Sequence, residues 1–164
     1  MRAVIKLILV FAALCVLATC GNRVRPYSGP PVTAIEVHKA DRKLYLLSGA
    51  AVLKVYDIHL GGSPVGNKHF EGDGKTPEGV YFITHRNARS AYHLSLGISY
   101  PNDTDRAYAA AQGQEPGGDI FIHGQQQRGS SRGDWTVGCI AVTNKEIEAI
   151  YYMVNPGTRI NIYP

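Results

Sequence analysis

Apolar residues along this chain fall first into one unbroken run and afterwards into short clusters separated by polar residues, glycine and proline. The unbroken run covers residues 7–17. Beyond it, segments 33–37, 43–47 and 52–58 are rich in β-branched, aromatic and aliphatic side chains, the pattern of strands with one buried face. Ser48-Gly49 separates the second from the third and predicts a hairpin, so the domain should start antiparallel. Further strands are predicted at 80–84, 120–122, 138–142 and 159–162, the last alternating as Arg159-Ile160-Asn161-Ile162. Two stretches change period. Thr143-Asn144-Lys145-Glu146 is a capping box, and Ile147, Ile150, Tyr151 and Val154 follow on one face of a helix. A second, shorter helix is predicted over 105–112, where four alanines precede Gly113. The expected class is mostly β with one or two short helices.

The opening run is too short to cross a bilayer as a stable helix, and it follows the basic residues Arg2 and Lys6. It predicts a signal peptide over 1–19 and hence an exported chain. Leu17-Ala18-Thr19-Cys20-Gly21 resembles the bacterial lipobox, in which the cysteine is lipidated and becomes the first mature residue. Thr19 departs from the small residue usual before that cysteine, so lipidation of Cys20 and plain cleavage after Ala18 both stand. Pro26, Gly29, Pro30 and Pro31 mark 20–32 as a spacer, leaving one domain at 33–164. The expected location is the periplasm, with membrane attachment where Cys20 carries a lipid.

Charge and motif spacing exclude several functions. The formal charge of +4 includes Arg2 and Lys6; without them 15 basic residues face 13 acidic ones, scattered rather than striped, which is no nucleic-acid signature. Gly74-Lys75-Thr76 imitates the end of a phosphate-binding loop, but His69 stands where the first glycine belongs and Pro77 opposes the following helix. His38, His59, His69, His85, His93 and His123 show no zinc-ligand spacing, so neither a metal nor another cofactor is expected.

Cys139 draws attention once the leader is set aside. Cys15 is lost on cleavage and Cys20 lies at the mature start, which leaves Cys139 without a disulfide partner in an exported chain. A lone cysteine is either a small buried hydrophobe or a nucleophile. His123 ends the apolar run Ile120-Phe121-Ile122, sixteen positions earlier, and Gly124 lets the backbone turn there. Gly138 permits close backbone approach beside the cysteine. If the two strand ends lie side by side, thiol and imidazole can meet, and an imidazolium neighbour would lower the thiol pKa from about 8.5.

Three motifs, Thr76-Pro77-Glu78-Gly79-Val80-Tyr81, Ile122-His123-Gly124 and Gly138-Cys139-Ile140, stand in an order and spacing that resemble the L,D-transpeptidase (YkuD-type) catalytic domain over about 33–164. The resemblance implies a β-sandwich or barrel, a Cys139 nucleophile and His123 as its base. It further implies an oxyanion site at the backbone N–H groups of Gly138 and Cys139, and peptidoglycan stem peptides as substrates. Thr136, Val137 and Ala141 replace polar residues common in the family. Asp134-Trp135-Thr136 and Ile140-Ala141 resemble instead a subgroup that includes a lipoprotein-releasing murein hydrolase. Transpeptidation and hydrolysis of stem-peptide links therefore both remain open, and so does a catalytically silent wall-binding lipoprotein. Thr136 is expected either to orient His123 through its hydroxyl or to serve as a plain strand residue. Trp135 either lines the groove or anchors the core, Tyr92 and His93 either contact substrate or decorate a surface strand, and Arg128 and Arg132 either attract substrate carboxylates or sit in a solvated loop.

Overall fold

The structure is a computed structural model that describes residues 27–125 and 133–164. The leader, Cys20, Arg128 and Arg132 lie outside the described residues. Strands β1 (Ala34–His38), β2 (Lys43–Ser48) and β3 (Ala51–Asp57) form the expected antiparallel start. They are followed by β4 (Gly79–Asn87), β5 (Ser95–Ile98), helix α1 (Asp103–Ala111), β6 (Phe121–His123), β7 (Ile140–Ala141), helix α2 (Asn144–Met153) and β8 (Arg159–Tyr163).

All eight strands join one sheet in the order β3-β2-β1-β8-β4-β5-β6-β7. The first and last strands of the domain pair in parallel, Ile35 beside Ile160 and Val37 beside Ile162. Beyond β3 the chain runs on to the opposite end of the sheet. His59 bridges Ala141 through two hydrogen bonds of 2.9 and 2.8 Å, and Gly61 bridges Thr136. These bridges bring the continuation of β3 against β7, so the sheet curls upon itself.

Alternation decides which side chains fill the curl. Ile35 and Val37 of β1, Leu44 and Leu46 of β2, and Ile160 and Ile162 of β8 point inward and are buried, while their neighbours face outward. Strand β5 breaks that rule, because all four of its residues are buried; it is not among the strands expected from the sequence, and its pairing with β4 and β6 is what defines it. Helix α2 lays Ile147, Ile150 and Met153 on the core. Thr143 caps it as expected, its hydroxyl accepting the Glu146 N–H while the Glu146 carboxylate accepts the Thr143 N–H. Helix α1 carries a second capping box, Asn102 with Asp105, and begins two residues before the predicted start. The predicted strand at 138–142 shortens to Ile140–Ala141, since Gly138 at φ +128° does not continue it.

One buried cation ties the long 59–79 connection to this frame. Lys39, 2 % exposed at the end of β1, donates to the carbonyls of Gly66 (2.7 Å) and Thr76 (3.0 Å) and to the Glu78 carboxylate (2.7 Å). Three acceptors match the three protons of the ammonium, which compensates for its desolvation. Lys39→Met leaves those acceptors without a donor, and urea denaturation should show a loss of about 3–5 kcal/mol.

Candidate active site

β6 and β7 run side by side in parallel, with Ile122 opposite Ile140 and His123 opposite Ala141. Continued by one position, that register sets Cys139 beside Phe121, and the Phe121 backbone forms a hydrogen bond to the sulfur. Cys139 and His123 are thus diagonal neighbours on adjacent segments, a spacing of about 7–8 Å that two side chains can bridge. The strand ends do lie together as the sequence requires.

His123 is 3 % exposed, and its Nδ1 lies 2.6 Å from the carbonyl oxygen of Gly124. A carbonyl only accepts, so Nδ1 carries the proton and Nε2 keeps the lone pair. The ring is enclosed by aromatic neighbours: Tyr92 at 4.5 Å between centroids, and Trp135 edge-on at 5.8 Å. Trp135 and Tyr92 lie 6.1 Å apart, which completes the enclosure. Trp135 is half-buried, and its Nε1–H has no acceptor among the described residues. Both aromatic residues named from the sequence therefore belong to the histidine's surroundings. Burial pushes the imidazole below its ordinary pKa, against the opposing pull of the Gly124 carbonyl.

The thiol is half-buried and donates to the carbonyl of Asp119 at 3.4 Å; among the described residues it forms no hydrogen bond with His123. Burial pushes its pKa up, helped by the Asp119 carboxylate and opposed by the Phe121 N–H and the Lys68 ammonium. Both shifts run against the expected imidazolium-thiolate pair: burial lowers the imidazole pKa and raises that of the thiol, each toward the uncharged form.

Other residues singled out in the sequence take different places. The Thr136 hydroxyl does not meet His123: it donates to the Cys139 carbonyl at 2.7 Å and accepts the Gly138 N–H at 3.2 Å, so it shapes the turn that carries Cys139. One of the two expected oxyanion donors is thereby engaged at rest. Gly124 matters for space rather than for a special dihedral, since a Cβ there would lie 2.9 Å from the Tyr92 carbonyl and 2.6 Å from Asn144 Oδ1. Gly138 needs both, with φ +128° and a Cβ position 2.6 Å from the Lys75 carbonyl. His93, at φ +73°, bonds Glu148 Oε1 at 2.7 Å and lines a separate cavity of about 690 Å³ with Leu94, Tyr152 and Met153.

The sequence did not single out Asp119 or Lys68. Asp119 follows Gly117-Gly118, adopts φ +54° and presents its carbonyl to the thiol. Lys68 is buried and donates to the Phe70 carbonyl (2.8 Å) and Asp73 Oδ1 (3.0 Å). Lysines of this kind carry no motif; only the tertiary contacts reveal them.

The catalytic-domain model of the YkuD L,D-transpeptidases matches residues 32–162 of the chain. Escherichia coli YafK, which carries the name of an L,D-transpeptidase, is 32% identical over 149 residues, covering 83% of this chain and 55% of that protein. The chain thus spans about half the length of the curated relatives it matches. Among solved structures, the helical cell shape determining protein Pgp2 of Campylobacter jejuni superposes with a TM-score of 0.63 at 26% identity, covering 89% of this chain and 53% of that one. An L,D-transpeptidase from Xylanimonas cellulosilytica, 13% identical, shares the fold with a TM-score of 0.55 over 84% of this chain and 63% of that one.

Two outcomes check the site. Gly138→Ala should abolish Cys139 acylation while leaving a folded protein, because the added methyl meets the Lys75 carbonyl; intact-mass measurement after incubation with a carbapenem reads this. Alkylation of the free protein by iodoacetamide should titrate with an apparent pKa above the ordinary thiol value of about 8.5. A profile that rises below pH 8 would show a thiolate already paired with an imidazolium.

Proposed function

Because the chain belongs to the L,D-transpeptidase catalytic-domain family, we propose that it is a peptidoglycan cysteine acyltransferase with Cys139 as nucleophile and His123 as base. The observation that carries this reading is the parallel β6–β7 pairing, which sets the thiol diagonal to an imidazole whose Nδ1 proton is committed to Gly124. An imidazole held as this tautomer offers only Nε2 as a base. Its lowered pKa keeps that lone pair free at neutral pH.

The chemistry follows from a neutral pair. As Sγ approaches the carbonyl carbon of the diaminopimelate-like residue at stem position three, Nε2 takes the thiol proton and a C–S bond forms. Negative charge moves to the carbonyl oxygen. The Cys139 N–H receives it, joined by the Gly138 N–H once Thr136 Oγ1 releases it. The imidazolium then protonates the departing amine as the C–N bond breaks, leaving a thioester and a neutral histidine. An amine that attacks the thioester yields a crosslink or an attached protein; water yields hydrolysis, the endopeptidase outcome. Tyr92 and Trp135 enclose the ring, and the unpartnered indole N–H is a donor suited to a stem-peptide carbonyl. The likeness to Pgp2, a helical cell shape determining protein, supports wall remodelling as the setting. Such work goes with an exported, periplasmic protein, attached to the membrane if Cys20 is lipidated; the basic start and apolar run at 1–19 support export. The thiol's resting bond to Asp119 favours one second reading, a silent wall-binding protein whose cysteine stays turned from the base.

The test is muropeptide analysis by mass spectrometry with purified protein and its Cys139→Ala variant. Wild type should produce new crosslinks or shortened stems, the product naming the acceptor, and Cys139→Ala should produce none. A wild type that changes no muropeptide and takes no carbapenem adduct overturns the enzymatic account in favour of the silent one. If the base is correctly assigned, the acid limb of kcat/KM should lie below pH 6.5, since His123 must protonate before activity is lost and burial holds its pKa down.

A further inference from the structure

The segment that delivers Cys139 is fastened to the rest of the fold by an ion pair remote from the thiol. Asp134, five residues before the nucleophile, accepts Arg42 Nε at 3.0 Å and Nη2 at 2.8 Å on one oxygen, and the Leu60 N–H at 2.8 Å on the other. Arg42 sits in the turn between β1 and β2 at φ +53°, and its Nη1 donates to the Lys39 carbonyl. Its backbone carbonyl accepts the Ile58 N–H at 3.0 Å. Guanidinium, backbone and carboxylate are thus each held from more than one direction, with side chains 36 % and 14 % exposed.

The consequence runs along the chain to the sulfur. Once Asp134 grips the Leu60 N–H, the Leu60 carbonyl accepts both the Trp135 N–H (3.1 Å) and the Thr136 N–H (3.0 Å), and the Thr136 carbonyl accepts the Gly62 N–H (3.0 Å). Thr136 so placed directs its hydroxyl onto the Cys139 carbonyl and receives the Gly138 N–H. The same grip sets Trp135 against the His123 ring.

We propose that Arg42 and Asp134 act as one positioning unit, which fixes the Asp134–Cys139 turn so that both the thiol and the indole beside the base stand where acyl transfer needs them. The proposal deepens the assigned chemistry and rests on that reading, but the unit touches neither substrate nor reacting atoms. Two lines separate it from an ordinary surface pair, which contributes little. The pairing is forked, a geometry only arginine supplies, and its far end is the backbone that carries the nucleophile.

Arg42→Gln, Arg42→Lys, Asp134→Asn and the double variant Arg42→Gln/Asp134→Asn test this, with Lys43→Gln as a control that removes only the neighbouring exposed pair with Asp57. Two rates are measured on folded protein: carbapenem acylation of Cys139 and its alkylation by iodoacetamide. Acylation should slow at least about tenfold through its first-order step, with the half-saturating carbapenem concentration little changed, as misplacement of a reacting group demands. Alkylation at pH 7.5 should instead accelerate, because loosening the turn admits water to the sulfur and relieves the burial that holds its pKa up. Arg42→Lys should fall between wild type and Arg42→Gln, and the double variant should be no worse than the slower single one. Unchanged rates in both assays, or additive losses, overturn the proposal. A wild type that takes no carbapenem sinks the assigned function instead; the alkylation arm then decides the positioning unit alone. Should Arg42→Gln fail to fold, Arg42→Lys carries the same two readings.

Discussion

Parallel pairing of two very short strands governs where Cys139 stands relative to His123. β6 has three residues and β7 two, yet their register is what sets Cys139 diagonal to His123. Parallel neighbours cannot be joined by a tight turn, so the chain must leave the sheet between them and return. The return is then aligned by other parts of the fold: the antiparallel bridge of Ala141 to His59, the Thr136 bridge to Gly61, and the capped start of α2 just after Val142. A ladder this short would be weak alone. It holds because β7 is gripped from both sides.

Desolvation is the second constraint, and it acts on both the imidazole and the thiol as well as on the charged groups around them. His123 and Cys139 are each pushed toward their uncharged forms by burial. Lys39 and Lys68 are also buried but have full or partial sets of oxygen acceptors, which let them stay in the interior. Two kinds of buried titratable group thus coexist: scaffold lysines satisfied by carbonyls and carboxylates, and the imidazole and thiol, each with few polar partners. The first kind ties down the 59–79 connection whose Lys75 carbonyl abuts Gly138.

Much of the frame was legible in the pattern of residues. The hairpin at Ser48-Gly49, the alternating final strand and the Thr143 capping box each have a local physical cause, so each appears where expected. The misses have separate causes. β5 is only four residues long and is defined by its pairing with β4 and β6, and the strand expected at 138–142 is cut short by the positive φ of Gly138. Helix α1 starts early because Asn102 and Asp105 form a cap that its alanine run does not announce. The parallel pairing of β1 with β8, more than a hundred residues apart in sequence, has no local signal at all.

The sequence by itself determined the identities that matter: a thiol after Gly138, a histidine closing an apolar strand, and a tryptophan four positions before the thiol. Residue type and local period are enough for that, since they depend only on neighbours along the chain. Only the tertiary structure decided what those residues do to one another. It assigned the Thr136 hydroxyl to the Cys139 turn instead of to His123, set Tyr92 and Trp135 around one ring while His93 went to a separate cavity, and brought Arg42 to Asp134. Hydrogen bonds and desolvation act through space over a few ångströms, and which groups come within that reach is settled by how the sheet curls.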